Sequence, residues 1–304
     1  MADKKIIVIG SSNTDMVIKA DRLPVPGETV IGGKFFMNPG GKGANQAVAA
    51  ARLGGNVMVI CKTGNDIFGK QSVELFNSER INTSFVFSDP KNPSGVALIT
   101  VDSNGENCIV VASGANASLS PSDIEAARSE IERGDIVLMQ LEIPIETVEY
   151  ATELASAKGI KVILNPAPAR ALSDKLLKSL HVITPNKTEA EILSGIKVFD
   201  WESAMKAAAV IKSKGPKIVV ITLGSQGALI YEDNTFHKVE AYKVEAIDTT
   251  AAGDTFSGAL CVAISEGLSM VDAVKFASRA SSLAVTKMGA QSSIPFRSDL
   301  SVLI

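Results

Sequence analysis

Six short runs of almost wholly apolar residues decide what this chain can become. They are Ile6–Ile9, Val57–Ile60, Ile136–Met139, Val162–Leu164, Val182–Thr184 and Ile218–Thr222. A strand with no polar face must be covered on both faces, as happens in a parallel sheet lying between helices. Helix-like stretches separate most of the runs: Ala44–Leu53, Gly69–Ser78, Ser120–Arg133, Ile145–Lys158, Lys187–Ser194 and Trp201–Lys214. Strand and helix alternating at this spacing make βαβ units. The expected fold class is α/β, with a mostly parallel central sheet.

Two stretches break that rhythm. Ile18–Phe36 holds two prolines, a Gly-Gly pair and alternating side chains. Gly95–Val111 alternates around Asn104-Gly105, a hairpin signal. They predict a small β-layer inserted at about 14–38 and 94–112 of a single domain spanning 1–304. No repeat, low-complexity tract or linker interrupts that domain, and from Thr255 onward the pattern is mostly helical.

Composition narrows the function. With 30 basic and 33 acidic residues the net charge is −3, so no global positive field draws nucleic acid or a membrane surface. The run Ile6–Ile9 is too short for a signal segment, and no later run reaches the length of a membrane span. Cys61, Cys108 and Cys261 lie far apart without a CxxC pair, which argues against zinc and disulfides and for a reducing cytoplasmic setting.

Chemistry gathers in a few short motifs. Asp248-Thr249-Thr250-Ala251-Ala252-Gly253-Asp254-Thr255-Phe256 follows the alternating stretch Lys238–Ile247 and opens a helix. Small residues at 251–253 leave backbone N–H groups uncovered at the positive helix end, a cradle for a phosphoryl group. Asp254 there can accept a proton from a hydroxyl, or merely cap the helix. In Pro39-Gly40-Gly41-Lys42-Gly43-Ala44-Asn45-Gln46 the glycines allow close backbone approach, and Lys42 and Asn45 can reach hydroxyls. The same glycines would also suit a tight turn. Gly64–Lys70 imitates a P-loop, but Gln71 stands where a magnesium-holding Ser or Thr belongs.

Asn186 and Glu189 are spaced i, i+3 after a buried strand and could serve hydrated Mg²⁺ or an ordinary helix cap. Thr222-Leu223-Gly224-Ser225-Gln226-Gly227 is either a ligand turn at a strand's carboxyl end or a hairpin turn. Asn13, Asp15 and Glu142 follow two other strands and converge on the same sheet edge.

The runs at 40–45 and 248–256 resemble the two signature motifs of the ribokinase-like (PfkB) carbohydrate kinase family, and the likeness extends from Ile6 to Pro295. It implies a three-layer α/β/α fold, with the small β-layer as a lid that also serves as a homodimer interface. It implies transfer of the γ-phosphoryl group of ATP to the 5-hydroxyl of D-ribose. By the same likeness Asp254 is the base, and Ala252 and Gly253 form the anion hole. Asn13, Asp15, Gly40, Gly41, Lys42, Gly43, Asn45 and Glu142 are sugar contacts. Asn186, Thr222, Leu223, Gly224, Ser225, Gln226, Gly227 and Ser278 are nucleotide contacts, with Glu189 organising Mg²⁺ through water. Asp248, Thr250, Ala284, Lys287, Gly289 and Ser293 resemble a site for an activating K⁺ ion. Two departures stand out: Ala251-Ala252 where many relatives carry Gly-Ala, and Ser278 where many carry a larger polar residue.

Rival readings stay in view. Within the same chemistry they are kinases of 2-deoxyribose, fructose or a nucleoside. From other classes they are an NAD-dependent oxidoreductase, which the missing GxGxxG opposes, and a non-catalytic sugar-binding protein.

Overall fold

Strands without a polar face need cover on both sides, and the computed structural model, described over residues 4–302, supplies it. The chain runs β1 (Lys5–Ile9), β2 (Asn13–Lys19), β3 (Lys34–Gly40), α1 (Lys42–Arg52), β4 (Asn56–Gly64), α2 (Ile67–Ser78), β5 (Asn82–Asp89), β6 (Gly95–Val101) and β7 (Asn107–Ala112). It continues through α3 (Pro121–Ala126), α4 (Arg128–Ile131), β8 (Ile136–Met139), α5 (Ile145–Ala157), β9 (Lys161–Leu164), α6 (Asp174–Ser179), β10 (Val182–Ile183) and α7 (Lys187–Ser194). It ends with α8 (Trp201–Ser213), β11 (Ile218–Thr222), β12 (Ala228–Glu232), β13 (Thr235–Val239), α9 (Ala252–Ser265) and α10 (Met270–Ala284).

The large sheet has nine strands in the order β13-β12-β11-β10-β9-β8-β1-β4-β5. From β11 to β5 all neighbours are parallel, and β12 and β13 close one edge as an antiparallel pair. Alternate residues of β1 face opposite layers. Ile6 and Val8 join the core built with α1, α9 and α10. Ile7 and Ile9 join the core built with α3 to α8. All four are fully buried. Three layers, α/β/α, are the result. No helix among the described residues is long and apolar enough to cross a membrane.

A four-stranded sheet in the order β3-β2-β6-β7 stands beside the large one. It is the expected β-layer, with strands reaching further toward the large sheet than the alternating pattern alone marks. β2 starts at Asn13 and β3 ends at Gly40, while residues 20–33 carry no strand. The Asn104-Gly105 turn is present, stabilised by Asp102, whose Oδ1 accepts from the backbone N–H groups of Asn104 and Glu106 at 2.8 and 2.9 Å.

Two expectations need correction. Ser120–Arg133 is not one helix: the backbone at Ala127 (φ −92°, ψ 2°) separates α3 from α4. The Ser120-Pro121 start does hold, with a full capping box between Ser120 and Asp123. The alternating stretch Lys238–Ile247 is strand only to Val239, because β13 has run out of partner beyond the end of β12.

One close approach fixes the centre. α9 lies against α1 so tightly that a Cβ on Gly258 would meet the Gln46 carbonyl oxygen and the Ala49 Cβ, each at 2.7 Å. One helical turn before Gly258 stands Asp254, and one turn before Ala49 stands Asn45.

A candidate active site at the sheet switch point

Successive βαβ units run one way from β1 to β4 and β5, and the other way from β8 through β9 and β10 to β11. The crevice at such a reversal is where open α/β sheets place ligands. Three pieces of chain meet above it: the start of α1, the residues after β8, and the start of α9.

The start of α1 is shaped by its glycines. Gly41 has φ +87°, and a Cβ there would sit 2.7 Å from the Asn13 nitrogen. A Cβ on Gly43 would sit 2.5 Å from the Ser11 nitrogen. With none, the helix start settles onto Ser11, whose carbonyl accepts from Ala44 N–H at 2.8 Å. Glu142, arriving after β8, accepts from Lys42 N–H at 3.0 Å and from the Ser11 hydroxyl at 2.6 Å. The turn reading of the Gly-Gly-Lys-Gly run therefore holds. Gly40 leaves room for the Asp15 carboxylate, which a Cβ would meet at 2.3 Å. Asn13 is buried, its Oδ1 accepting from the Asn116 side chain at 2.7 Å.

Asp254 does not cap its own helix. The N-cap of α9 is Ala251, with φ +57° and no side-chain cap bond. The buried Asp254 carboxylate instead accepts from two amides of α1: Asn45 Nδ2 on Oδ2 and Gln46 Nε2 on Oδ1, each at 2.9 Å. The helix's first N–H groups are thus left without a side-chain cap, and the space in front of Gly253 is clear, since a Cβ there would meet nothing within 4 Å. An uncapped helix of 14 residues opening on a cleft fits a phosphoryl group. Asn45 Oδ1 is buried without a partner, and a hydroxyl donor would satisfy it.

The electrostatics are those of one cation among four carboxylates. Lys42 is held above its usual range, most of all by Asp254 and further by Glu142, Glu189 and Asp15, with burial opposing. Asp15 is pushed up to about 6 by burial, Glu142 and Asp254, with Lys42 opposing. Glu189 is raised by burial and Asp254, against the Asn186 N–H and Lys42.

Asn186 and Glu189 form a complete capping box: Asn186 Oδ1 accepts from Glu189 N–H at 2.9 Å. The Glu189 oxygens accept from Asn186 N–H and Nδ2 at 2.8 Å each. So the helix-cap reading holds, while both residues also line the cleft with Lys42, Thr222 and Asp254. Each Glu189 oxygen keeps a further lone pair, which fits an ion reached through water. Among the described residues no group of three or more His, Cys, Asp or Glu could hold a metal by itself.

The remaining expected contacts divide. Thr222 lines the cleft beside Asn186. Gly224 to Gly227 form the tight turn of the β11–β12 hairpin, with positive φ at both glycines. Leu223 is a core residue, so its side chain cannot touch a nucleotide. Ser225 and Gln226 are exposed, and Ser278, half-buried on α10, does not line the cleft. Asp248 ties two loops together, accepting from Thr250 N–H and Oγ1 at 2.9 and 2.6 Å and from Gly289 N–H at 2.8 Å. Burial would raise its carboxyl, but these bonds hold it below its ordinary value. Ala284 and Ser293 are buried nearby in sequence, and the Ala284 carbonyl accepts from Lys287 N–H at 3.2 Å. The P-loop imitation is architectural: Asp66 caps α2 through Gly69 N–H at 2.9 Å.

Sequence reasoning assigned no role to Ser11, Gln46, Asn116, Gln140 or Asn165. Gln46 adjoins Asn45 and could have been found by asking what else α1 presents; for Asn116 no local signal exists.

A helix start without a side-chain cap, carrying a buried carboxylate in its first turn above the switch point of an open α/β sheet, suits phosphoryl transfer. A family model described as pfkB family carbohydrate kinase matches residues 3–297. A ribokinase of Haemophilus influenzae is 46% identical over 97% of both chains. A deoxyribokinase of Salmonella typhi is 39% identical over 95% of both. The solved ribokinase of Arabidopsis thaliana, complexed with ribose and ATP, superposes with a TM-score of 0.90 at 31% identity, covering 99% of this chain and 98% of that one. The chain belongs to the pfkB family of carbohydrate kinases.

Asp15 offers a test of the site's electrostatics. Burial, then Glu142 and Asp254, push its carboxyl up to about 6 from an ordinary 3.8. A raised acid stabilises the fold fully below about pH 4, and loses that contribution as pH rises through about 6. Asp15→Asn should therefore raise the Tm of the ligand-free protein by roughly 2–4 °C near pH 8, with the gain vanishing near pH 4. Thermal scans of both proteins at the two pH values check this; an equal gain at both would refute it.

Proposed function

We propose that this carbohydrate kinase transfers the γ-phosphoryl group of ATP to the 5-hydroxyl of D-ribose, with Asp254 as the base. The observation that carries the reading is the Asp254 carboxylate, held by two amides at the mouth of the uncapped α9. The sugar sits over Gly40–Gly43 with its hydroxyls on Asn13, Asp15, Lys42, Asn45 and Glu142. Asp254 takes the 5-hydroxyl proton, the sugar oxygen bonds to the γ-phosphorus, and the bond to the ADP oxygen breaks. The N–H groups of Ala252 and Gly253 meet the charge gathering on the phosphoryl oxygens. The nucleotide lies along Asn186, Thr222 and the Gly224–Gly227 turn. Mg²⁺, reached through water from Glu189, supplies neutralisation of the outer phosphates when bound. Removing a general base typically costs about 10²–10⁴ in rate.

The first experiment is ADP release from ATP and sugar. D-ribose should support turnover, and Asp254→Asn should lose kcat by at least about 10² while still binding ATP. A site built around hydroxyl contacts rejects an analogue lacking one, so ribose should exceed 2-deoxyribose in kcat/KM. The deoxyribokinase relative keeps the reverse preference alive as a second reading, and the same panel decides it. Absence of any ADP release would favour a sugar-binding protein without catalysis.

We further propose an activating K⁺ between the loops joined by Asp248, Thr250 and Gly289, with backbone oxygens around Ala284, Lys287 and Ser293. Turnover in KCl should exceed turnover in NaCl at equal ionic strength; equal rates count against it.

The small sheet suits a homodimer interface. Phe35 is 60% exposed, Leu98 54% and Val110 68%, more apolar surface than a sheet face usually leaves in water. Sedimentation should give a dimer, and Val110→Asp should shift it toward monomer. A wild-type monomer at micromolar concentration would remove this assignment.

A further inference from the structure

A carboxylate can only accept hydrogen bonds, so whatever holds it must present N–H or O–H. That rule fixes the direction of a buried chain of amides behind Asp254. Gln46 turns its NH2 to Asp254 Oδ1 at 2.9 Å and shares it with Asn165 Oδ1 at 3.1 Å. Its Oε1 is then left facing Gln140, whose Nε2 donates to it at 2.6 Å. Asn165 in turn donates to the Thr184 carbonyl at 3.3 Å. Gln46 and Gln140 are fully buried. Gln140 is confined by Gly10, where a Cβ would lie 2.1 Å from its Oε1.

Gln46 does not line the cleft, whereas Asp254 does. It touches the base and not the reacting molecules. Its neighbour Asn45 holds the other oxygen of Asp254, but Asn45 also has an unpartnered Oδ1 that suits a sugar hydroxyl. A hydroxyl bound at that Oδ1 would give Asn45 a share in holding the sugar as well as the base, whereas Gln46 serves Asp254 from behind the cleft. Burying two glutamines in a core is costly, the more so as Gln140 Oε1 is left without a partner, and a methionine would fill similar space without that cost.

We propose that Gln46 is the positioning residue of the base, and that Gln140 acts through it. Gln46 fixes the plane of the Asp254 carboxylate and leaves a lone pair on each oxygen aimed at the cleft. Gln140 fixes which way the Gln46 amide points. The proposal rests on Asp254 being the base, so the experiment includes a control for that reading.

The test measures kcat, both KM values and Tm for Gln46→Met, Gln140→Met, the double variant and Asp254→Asn. Misplacing a catalytic group by about 1 Å can cost about 10² in rate. Gln46→Met should therefore lower kcat by about 10–10² and leave the KM for ATP and for sugar within about threefold. Gln140→Met should lose less. The double variant should be no worse than Gln46→Met alone, because residues acting in series are not additive. Gln46→Glu, close in shape but turning an oxygen to Asp254, should lose at least as much kcat and serves if the methionine variant does not fold. A Gln46→Met enzyme within about twofold of wild-type kcat, beside an inactive Asp254→Asn, would overturn the proposal. So would losses that multiply in the double variant. An active Asp254→Asn would instead bring down the reading of the base, and this proposal with it.

Discussion

The site exists because two helix starts are pressed together. α1 and α9 meet at Gly258, where no side chain intervenes, and the contact brings Asn45 and Gln46 onto a carboxylate more than 200 residues away in sequence. The face of α1 at that contact is small, with Ala49 and Ala50 both fully buried. Small residues allow two backbones to come near, and nearness is what lets short amide side chains span the gap. The parallel sheet underneath sets the directions, because each strand delivers its carboxyl end, and the helix start that follows, to the same edge.

That arrangement also explains how several carboxylates survive side by side. Asp15, Glu142, Glu189 and Asp254 surround Lys42, Asp254 sits in the first turn of α9 at its positive end, and the start of α1 donates to Glu142. The compensation is incomplete, as the raised Asp15 carboxyl records. A ligand rich in hydroxyls would supply donors that the protein itself withholds. Binding sites often carry such residual repulsion, which stability alone would not select.

Much of this was legible in the amino-acid order, for reasons that differ by element. The central strands were clear because burial on both faces leaves an unbroken apolar run, and Ile136–Met139 matched residue for residue. The expected stretch Lys187–Ser194 matches α7, and the structure shows why: Asn186 caps its start and Gly195, left-handed, its end. The break at Ala127 was illegible, since alanine gives no sign of stopping a helix. Lys238–Ile247 alternates as a strand would, but alternation states a preference and not the presence of a partner. In the site, Asp254 and the glycine run were visible because their work is local. The amides behind Asp254 were not, because Gln46, Gln140 and Asn165 meet only after the sheet has formed.

The small sheet joins the site without a joint. β2 begins at Asn13, opposite Gly40 on β3 and Gly95 on β6, so one row of the sheet holds Asn13 between two strand ends. Asp15 lies two residues along, and Gly40 leads directly into the glycines of α1. No flexible segment lies between the rows exposed to solvent and the rows that face the crevice. Asn13, Asp15 and Gly40 therefore belong at once to the crevice wall and to a sheet that exposes apolar side chains further along the same strands, so the two surfaces share one continuous backbone.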